Sequence, residues 1–136
     1  MDEIKLSNLD FDRRETRETL TGPALRTFFR IADAWHLSVE EQARLLGLQS
    51  TSTVRRWRRG QLAALSRDKL ERISYVFGIY AALGVLLPSA EQADAWLHKA
   101  NAAPVFNGSS ALDRMLAGNV SDLYAVRQYL DAQVNA

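Results

Sequence analysis

Residues 37–60 read "LSVEEQARLLGLQSTSTVRRWRRG", and the fold turns on how this stretch is divided. Ser38 and Glu41 stand at capping-box spacing, where each side chain satisfies a backbone donor that a helix start leaves orphaned. Val39, Ala43 and Leu46 then share one helical stripe, and Gly47 is suited to the left-handed residue that closes a helix. A second short helix is predicted from Thr51 to Arg59, closed by Gly60. At 100° per residue, Val54 and Trp57 fall on one side. Ser52, Arg55, Arg56 and Arg59 fall on the other, and Arg58 flanks the apolar face. Two short helices, a glycine turn and a basic second helix make a helix-turn-helix. The second helix of such a motif enters the major groove, where arginine reaches guanine edges and short hydroxyls reach phosphates or bases. Ser50, Thr51, Ser52, Arg55, Arg56 and Arg59 are therefore the candidate DNA contacts, with the first three at a helix start that favours phosphate. A solvated arginine face on a core helix is the competing reading of the same residues.

The flanks give helices throughout and no sustained β alternation, so the predicted class is all-α. Upstream, "TGPALRTFFRIADAWHL" places Pro23 in a first helical turn and puts Leu25, Phe28, Phe29, Ala32 and Trp35 on one face. Residues 1–22 are polar and weakly periodic, which predicts a partly ordered arm. Downstream, a long helix capped by Ser66 carries Leu70, Ile73, Phe77, Tyr80 and Gly84 as a stripe. It is apolar all round past Ile73 and ends at Pro88. Next come "SAEQADAWLHKAN", with Ser89 and Gln92 at cap spacing and Ala93, Trp96, Leu97 and Ala100 facing inward; a loop, "AAPVFNGSS"; and a short helix with Ser110 and Asp113 at cap spacing, stopped by Gly118. The last helix has Val120, Leu123, Val126, Leu130 and Val134 along one stripe. The expected organisation is an arm (1–22), a helix-turn-helix region with the long central helix (23–87) and a small helical unit (88–136).

Charge and composition narrow the function classes. The 136 residues are 47% hydrophobic and 24% charged, with a net charge of +1. Residues 1–23 hold four basic and six acidic groups, residues 24–86 ten and five, and residues 87–136 three and five. Only the middle segment, at +5, is suited to a polyanion. Without cysteine there is neither disulfide nor thiolate metal site, which is compatible with a reducing cytoplasm. The start, "MDEIKLSNLDFD", lacks the apolar core of a secretory signal. The run Ile73–Ala90 is short for a membrane span and is broken by glycine and proline, so a buried helix is expected. No nucleophile–base spacing, phosphate loop or metal-ligand cluster is present. His36 and His98 stand near helix C-termini, where carbonyl dipoles favour them. No enzyme activity and no cofactor are expected.

The helix-turn-helix resembles that of the Xre-type antitoxins. Their pattern of a small residue, a glycine four positions on, then a branched and an aromatic residue is filled by Ala43, Gly47, Val54 and Trp57. The interval from Gly47 to Val54 is one residue longer than the standard motif. The segment "AWLHKANAAPVFNGSSALDRMLAGNVSDLYAVRQYLDAQ", residues 95–133, is similar to the toxin-binding domain of the Xre/MbcA/ParS antitoxins. The matching elements are Trp96-Leu97, Asn101, Phe106-Asn107-Gly108, Leu112-Asp113, Gly118 and Val126 through Tyr129-Leu130, with Ala111 where the family commonly has proline. The resemblance implies an antitoxin of a type II toxin–antitoxin pair. Its partners would be a RES-class toxin that consumes NAD, operator DNA of its own operon, and further copies of itself. Phe106, Gly108, Tyr124, Arg127, Gln128 and Asp131 are the expected toxin contacts. From the residues alone, the outer face with Tyr124, Gln128 and Asp131 is a reasonable protein-contact surface. Two other readings remain at this stage: a stand-alone transcription regulator whose C-terminal half only dimerises, and an adaptor that uses the helix-turn-helix for protein contacts.

Overall fold

In the computed structural model, residues 10–136 are described and form seven helices: α1 Arg14–Ala34, α2 Val39–Leu45, α3 Thr51–Arg58, α4 Arg67–Leu86, α5 Ala90–His98, α6 Ala111–Met115 and α7 Val120–Val134. The one β feature among these residues is an isolated bridge between Ala100 and Ser110.

Local signals set most of the helix ends. Ser38 and Ser110 each form a full capping box with the acid three residues on. Ser66 and Ser89 accept from the backbone N–H of Lys69 and Gln92, without the reciprocal half of a box. Gly47, Gly60 and Gly118 all carry positive φ, the left-handed conformation that an L side chain resists.

The first helix departs from the expectation. It begins at Arg14, nine residues before Pro23, so part of the predicted arm is helical and Pro23 lies inside the helix. Proline cannot donate to the carbonyl of Thr19. Thr19 is exposed, so water can satisfy that carbonyl. The remainder of the predicted arm, residues 1–9, lies outside the described residues.

The helix α4 is the central element, packed between α7 and α1 with α5 against its end. Leu70, Ile73, Val76, Ile79 and Leu83 are fully buried. The predicted stripe holds for Leu70 and Ile73 only: Phe77 is half-buried, and Tyr80 and Gly84 are exposed. Tyr80 instead lies at the edge of the α1 contact, its ring centroid 6.1 Å from that of Trp35. Ala100 and Val134, expected inside, are likewise exposed.

Arginines fasten the pieces to one another. The Arg72 side chain, only 12% exposed, donates to the carbonyl of Gly118 at 3.1 Å and pairs with Asp68 at 3.0 Å. Lys69 donates to the Gly47 carbonyl at 3.1 Å, and Arg44 to the Leu116 carbonyl at 2.7 Å. The turn after α2 and the turn before α7 thus share one arginine.

Gly47 and Gly60 separate two costs. A Cβ on Gly47 would lie 2.7 Å from the Arg72 Cζ, whereas one on Gly60 meets nothing within 4 Å. Both Gly47→Ala and Gly60→Ala should lose about 1–2 kcal/mol for the left-handed backbone. Gly47→Ala should lose more in urea unfolding, and the excess should vanish in an Arg72→Ala background.

Candidate functional site

The basic face is built on α3. Val54 is fully buried and Trp57 packs against the core, which turns the opposite side of the helix to solvent. Ser50 caps the helix by accepting from the Ser52 N–H at 3.2 Å, and the two hydroxyls lie 2.6 Å apart. Arg55 donates to the Thr51 hydroxyl at 3.0 Å and Arg56 to the Thr53 hydroxyl at 3.1 Å. These bonds orient the guanidinium groups without neutralising them. Of the six candidate DNA contacts, Ser50, Ser52, Arg55, Arg56 and Arg59 are exposed and Thr51 is half-buried.

Arg58 has another role. It forms two bonds to the Asp33 carboxylate, at 3.0 and 3.2 Å, and a third to Gln42 at 3.2 Å. Its guanidinium lies 4.5 Å from the centre of the Phe29 ring. It therefore fixes α3 on α1 and α2. Gln42, which the sequence did not single out, is buried and donates to the Leu37 carbonyl at 3.0 Å.

A second surface lies on α7 and the turn before it. Tyr124 is 46% exposed, and Gln128, also exposed, donates to its hydroxyl. Across the seam with α4, the Tyr75 ring meets Tyr124 edge-on, centroids 5.6 Å apart, and its hydroxyl donates to Glu71 at 2.9 Å. Burial and the Glu71 carboxylate push the Tyr75 phenol above its ordinary value, so it stays protonated. Neither Tyr75 nor Glu71 was legible as part of this surface, because no short-range pattern pairs α4 with α7. Arg127 is half-buried: it lies against Gly78, donates to the Ser74 carbonyl and pairs with Asp131 at 3.5 Å.

Two of the expected contacts separate in the loop. Phe106, expected at the surface, is 3% exposed, held edge-on between Trp96 and Tyr129 with centroids 5.8 and 5.0 Å away. Its apolar ring is worth more inside than in water, so it shapes the loop from within. Gly108 is exposed; with φ near +85° it donates to the Asn101 carbonyl at 3.0 Å, closing the loop. Arg114 ties this loop to α7, donating to the Val105 carbonyl at 2.7 Å and to Asp122 at 2.8 Å.

His36 and His98 are exposed, and both lie against Asp94, at 3.2 and 3.4 Å. Among the described residues, no three His, Asp or Glu side chains come together as metal ligands, and no single helix is long and apolar enough to cross a membrane.

Residues 15–78 match the antitoxin Xre-like helix-turn-helix domain, and residues 82–133 match the antitoxin Xre/MbcA/ParS C-terminal toxin-binding domain. The chain belongs to the Xre/MbcA/ParS antitoxin family. It is also similar to an uncharacterized protein, y4oB, of Sinorhizobium fredii (strain NBRC 101917 / NGR234), with 47% identity over 109 residues that cover 80% of this chain and 82% of the relative. No solved structure matches it. The antitoxin thus carries a helix-turn-helix domain and a toxin-binding domain, and α4 runs across the junction between the two matches.

Asp122 fixes the start of α7 and gives a pH prediction. Burial raises its carboxyl, but hydrogen bonds from Arg114 and Asn119, with the Arg114 charge, outweigh this and hold it below the ordinary carboxylate value. A depressed folded value stabilises above the unfolded value, about 3.9, and that stability is lost as pH falls through the folded one. Asp122→Asn should therefore be less stable than the parent at pH 7, with the gap closing below about pH 4. Thermal melts across that range check it.

Proposed function

We propose that this antitoxin neutralises a RES-type, NAD-consuming toxin by covering the entrance to its active site with the α7 surface. With its partner it represses its own operon through α3, as a dimer or larger assembly. The observation that carries the reading is that one core supports both an exposed arginine face on α3, without a carboxylate partner among the described residues, and an exposed tyrosine–glutamine face on α7. The two faces belong to different domains of the family, so one chain can hold DNA and toxin together. A toxin that binds this repressor then retunes repression by mass action. Assembly into dimers is supported by the end of α4, where Val85 is 71% exposed and Tyr80, Ala81, Gly84 and Leu86 are exposed beside it. Contiguous exposed apolar surface of this kind marks interaction sites.

Tyr124→Ala with Gln128→Ala tests the toxin surface. The two polar groups bond to one another, and the main loss is the edge contact of Tyr124 with the Tyr75 ring, so stability should fall by only about 0.5–1.5 kcal/mol. An interface anchor can cost about 2 kcal/mol or more of binding. The double variant should melt near the parent and fail to protect cells that express the cognate toxin. Normal melting with full protection would put the contact elsewhere.

Arg55→Ala, Arg56→Ala and Arg59→Ala together should abolish binding to the upstream DNA and leave protection intact. Unchanged promoter binding, measured by fluorescence anisotropy, would remove α3 from the DNA interface.

A further inference from the structure

The fates of the arginines differ sharply. Arg13, Arg14, Arg58, Arg67, Arg72, Arg114 and Arg127 each pair with a carboxylate. Arg17 and Arg44 each donate to a backbone carbonyl. Among the described residues, five arginines have neither kind of partner: Arg55, Arg56 and Arg59 at α3, and Arg26 and Arg30 on α1. All five are exposed.

These two helices are neighbours. The Arg58–Asp33 pair and the Arg58–Phe29 contact join α3 to the C-terminal part of α1. Further back along α1, a Cβ on Gly22 would lie 3.2 Å from Arg26 Nη1 and 4.0 Å from Leu62 Cδ1. Thr21 accepts from the Leu65 N–H at 3.0 Å. Residues 21–33 of α1 thus run in reverse alongside residues 58–65, which end the recognition helix and follow it. On the helical wheel, Arg26 falls next to Gly22 and Asp33, on the flank that meets this segment, with Arg30 just outside it.

Arg30 also repeats the α3 arrangement. It donates to the Thr27 hydroxyl at 3.1 Å, three residues back, as Arg56 does to Thr53. Each guanidinium is steadied by a neutral hydroxyl one turn earlier and keeps its full charge. Arg26 and Arg30 are one turn apart, about 6 Å of helix rise. A DNA strand offers one charge about every 3.4 Å of axis, so two phosphates lie within that reach.

We infer that Arg26 and Arg30 are phosphate-contacting residues that extend the DNA interface from α3 onto α1, gripping the backbone of the strand beside the recognition helix. Rigid helices with outward cations supply affinity and register, while base edges are read by α3. The inference rests on the reading of α3 as a DNA-binding helix.

The test uses the full chain and two duplexes: the DNA immediately upstream of its own gene, and a shuffled duplex of equal composition. Fluorescence anisotropy gives the slope of log K against log salt between about 50 and 200 mM. Arg26→Ala with Arg30→Ala should lower the slope by about two units on both duplexes. The preference for the upstream duplex should not change. Arg26→Lys with Arg30→Lys should keep the parental slope, since charge is what a phosphate requires. If the double alanine variant fails to melt like the parent, Arg26→Ala and Arg30→Ala singly should each lose about one unit. An unchanged slope, or a changed preference at constant slope, overturns the inference. If DNA binding by the unaltered chain shows no salt dependence on either duplex, the reading of α3 fails and this one with it. If the Arg55, Arg56 and Arg59 variant loses binding while Arg26→Ala with Arg30→Ala keeps its slope, only the extension onto α1 fails.

Discussion

The burial of α4 is the constraint from which the arrangement follows. A helix with Leu70, Ile73, Val76, Ile79 and Leu83 spread around much of its circumference cannot be covered by one neighbour. Each such side chain is worth about 1.5–3 kcal/mol when removed from water. Covering it takes α1 and α7, which come from opposite ends of the chain and from different family domains. The match to the helix-turn-helix domain stops at residue 78 and the match to the toxin-binding domain starts at residue 82, both inside α4. The two domains therefore share a helix and a core, and neither closes its apolar surface alone.

The turns are joined as well as the core. Arg72 lies where a side chain on Gly47 would be and donates to the Gly118 carbonyl. Gly47 sets the angle between α2 and α3, while Gly118 sets the entry to α7. Arg44, from α2, reaches the carbonyl of Leu116 in the same turn before α7. Carbonyls at helix ends carry partial negative charge and lack partners within the helix, so arginine is a suitable cap for them. The helix that orients the arginine face and the helix that presents Tyr124 are consequently referred to the same few atoms.

Pairing decides what an arginine contributes. In a chain of net charge +1, a cation beside a carboxylate adds little to the field that a distant polyanion meets. Arg58, Arg72 and Arg114 spend their charge inside the fold, at Asp33, Asp68 and Asp122. Arg26, Arg30, Arg55, Arg56 and Arg59, which have no carboxylate partner among the described residues, are left to define the basic side of the molecule. The formal count for residues 24–86 gives the right sign but does not say where the charge is free.

What the sequence determined is what acts within about one helical turn. A serine and the N–H three residues on are close whatever the rest of the chain does, so the caps at Ser38, Ser66, Ser89 and Ser110 are readable. The same holds for the left-handed backbone at Gly47, Gly60 and Gly118, though the close approach of Arg72 to Gly47 was not readable, and for the opposition of Val54 to Arg55 and Arg56 on α3. The start of α1 escaped because its first turns carry no strong apolar stripe and Pro23 resembles a helix opening. Tertiary structure decided the rest. Phe106 became core because Trp96 and Tyr129 close around it, Tyr75 joined the α7 surface, and Arg58 was drawn to Asp33, twenty-five residues away. Each of those outcomes depends on which helix packs beside which, and that is set by the burial of α4, not by any residue's immediate neighbours.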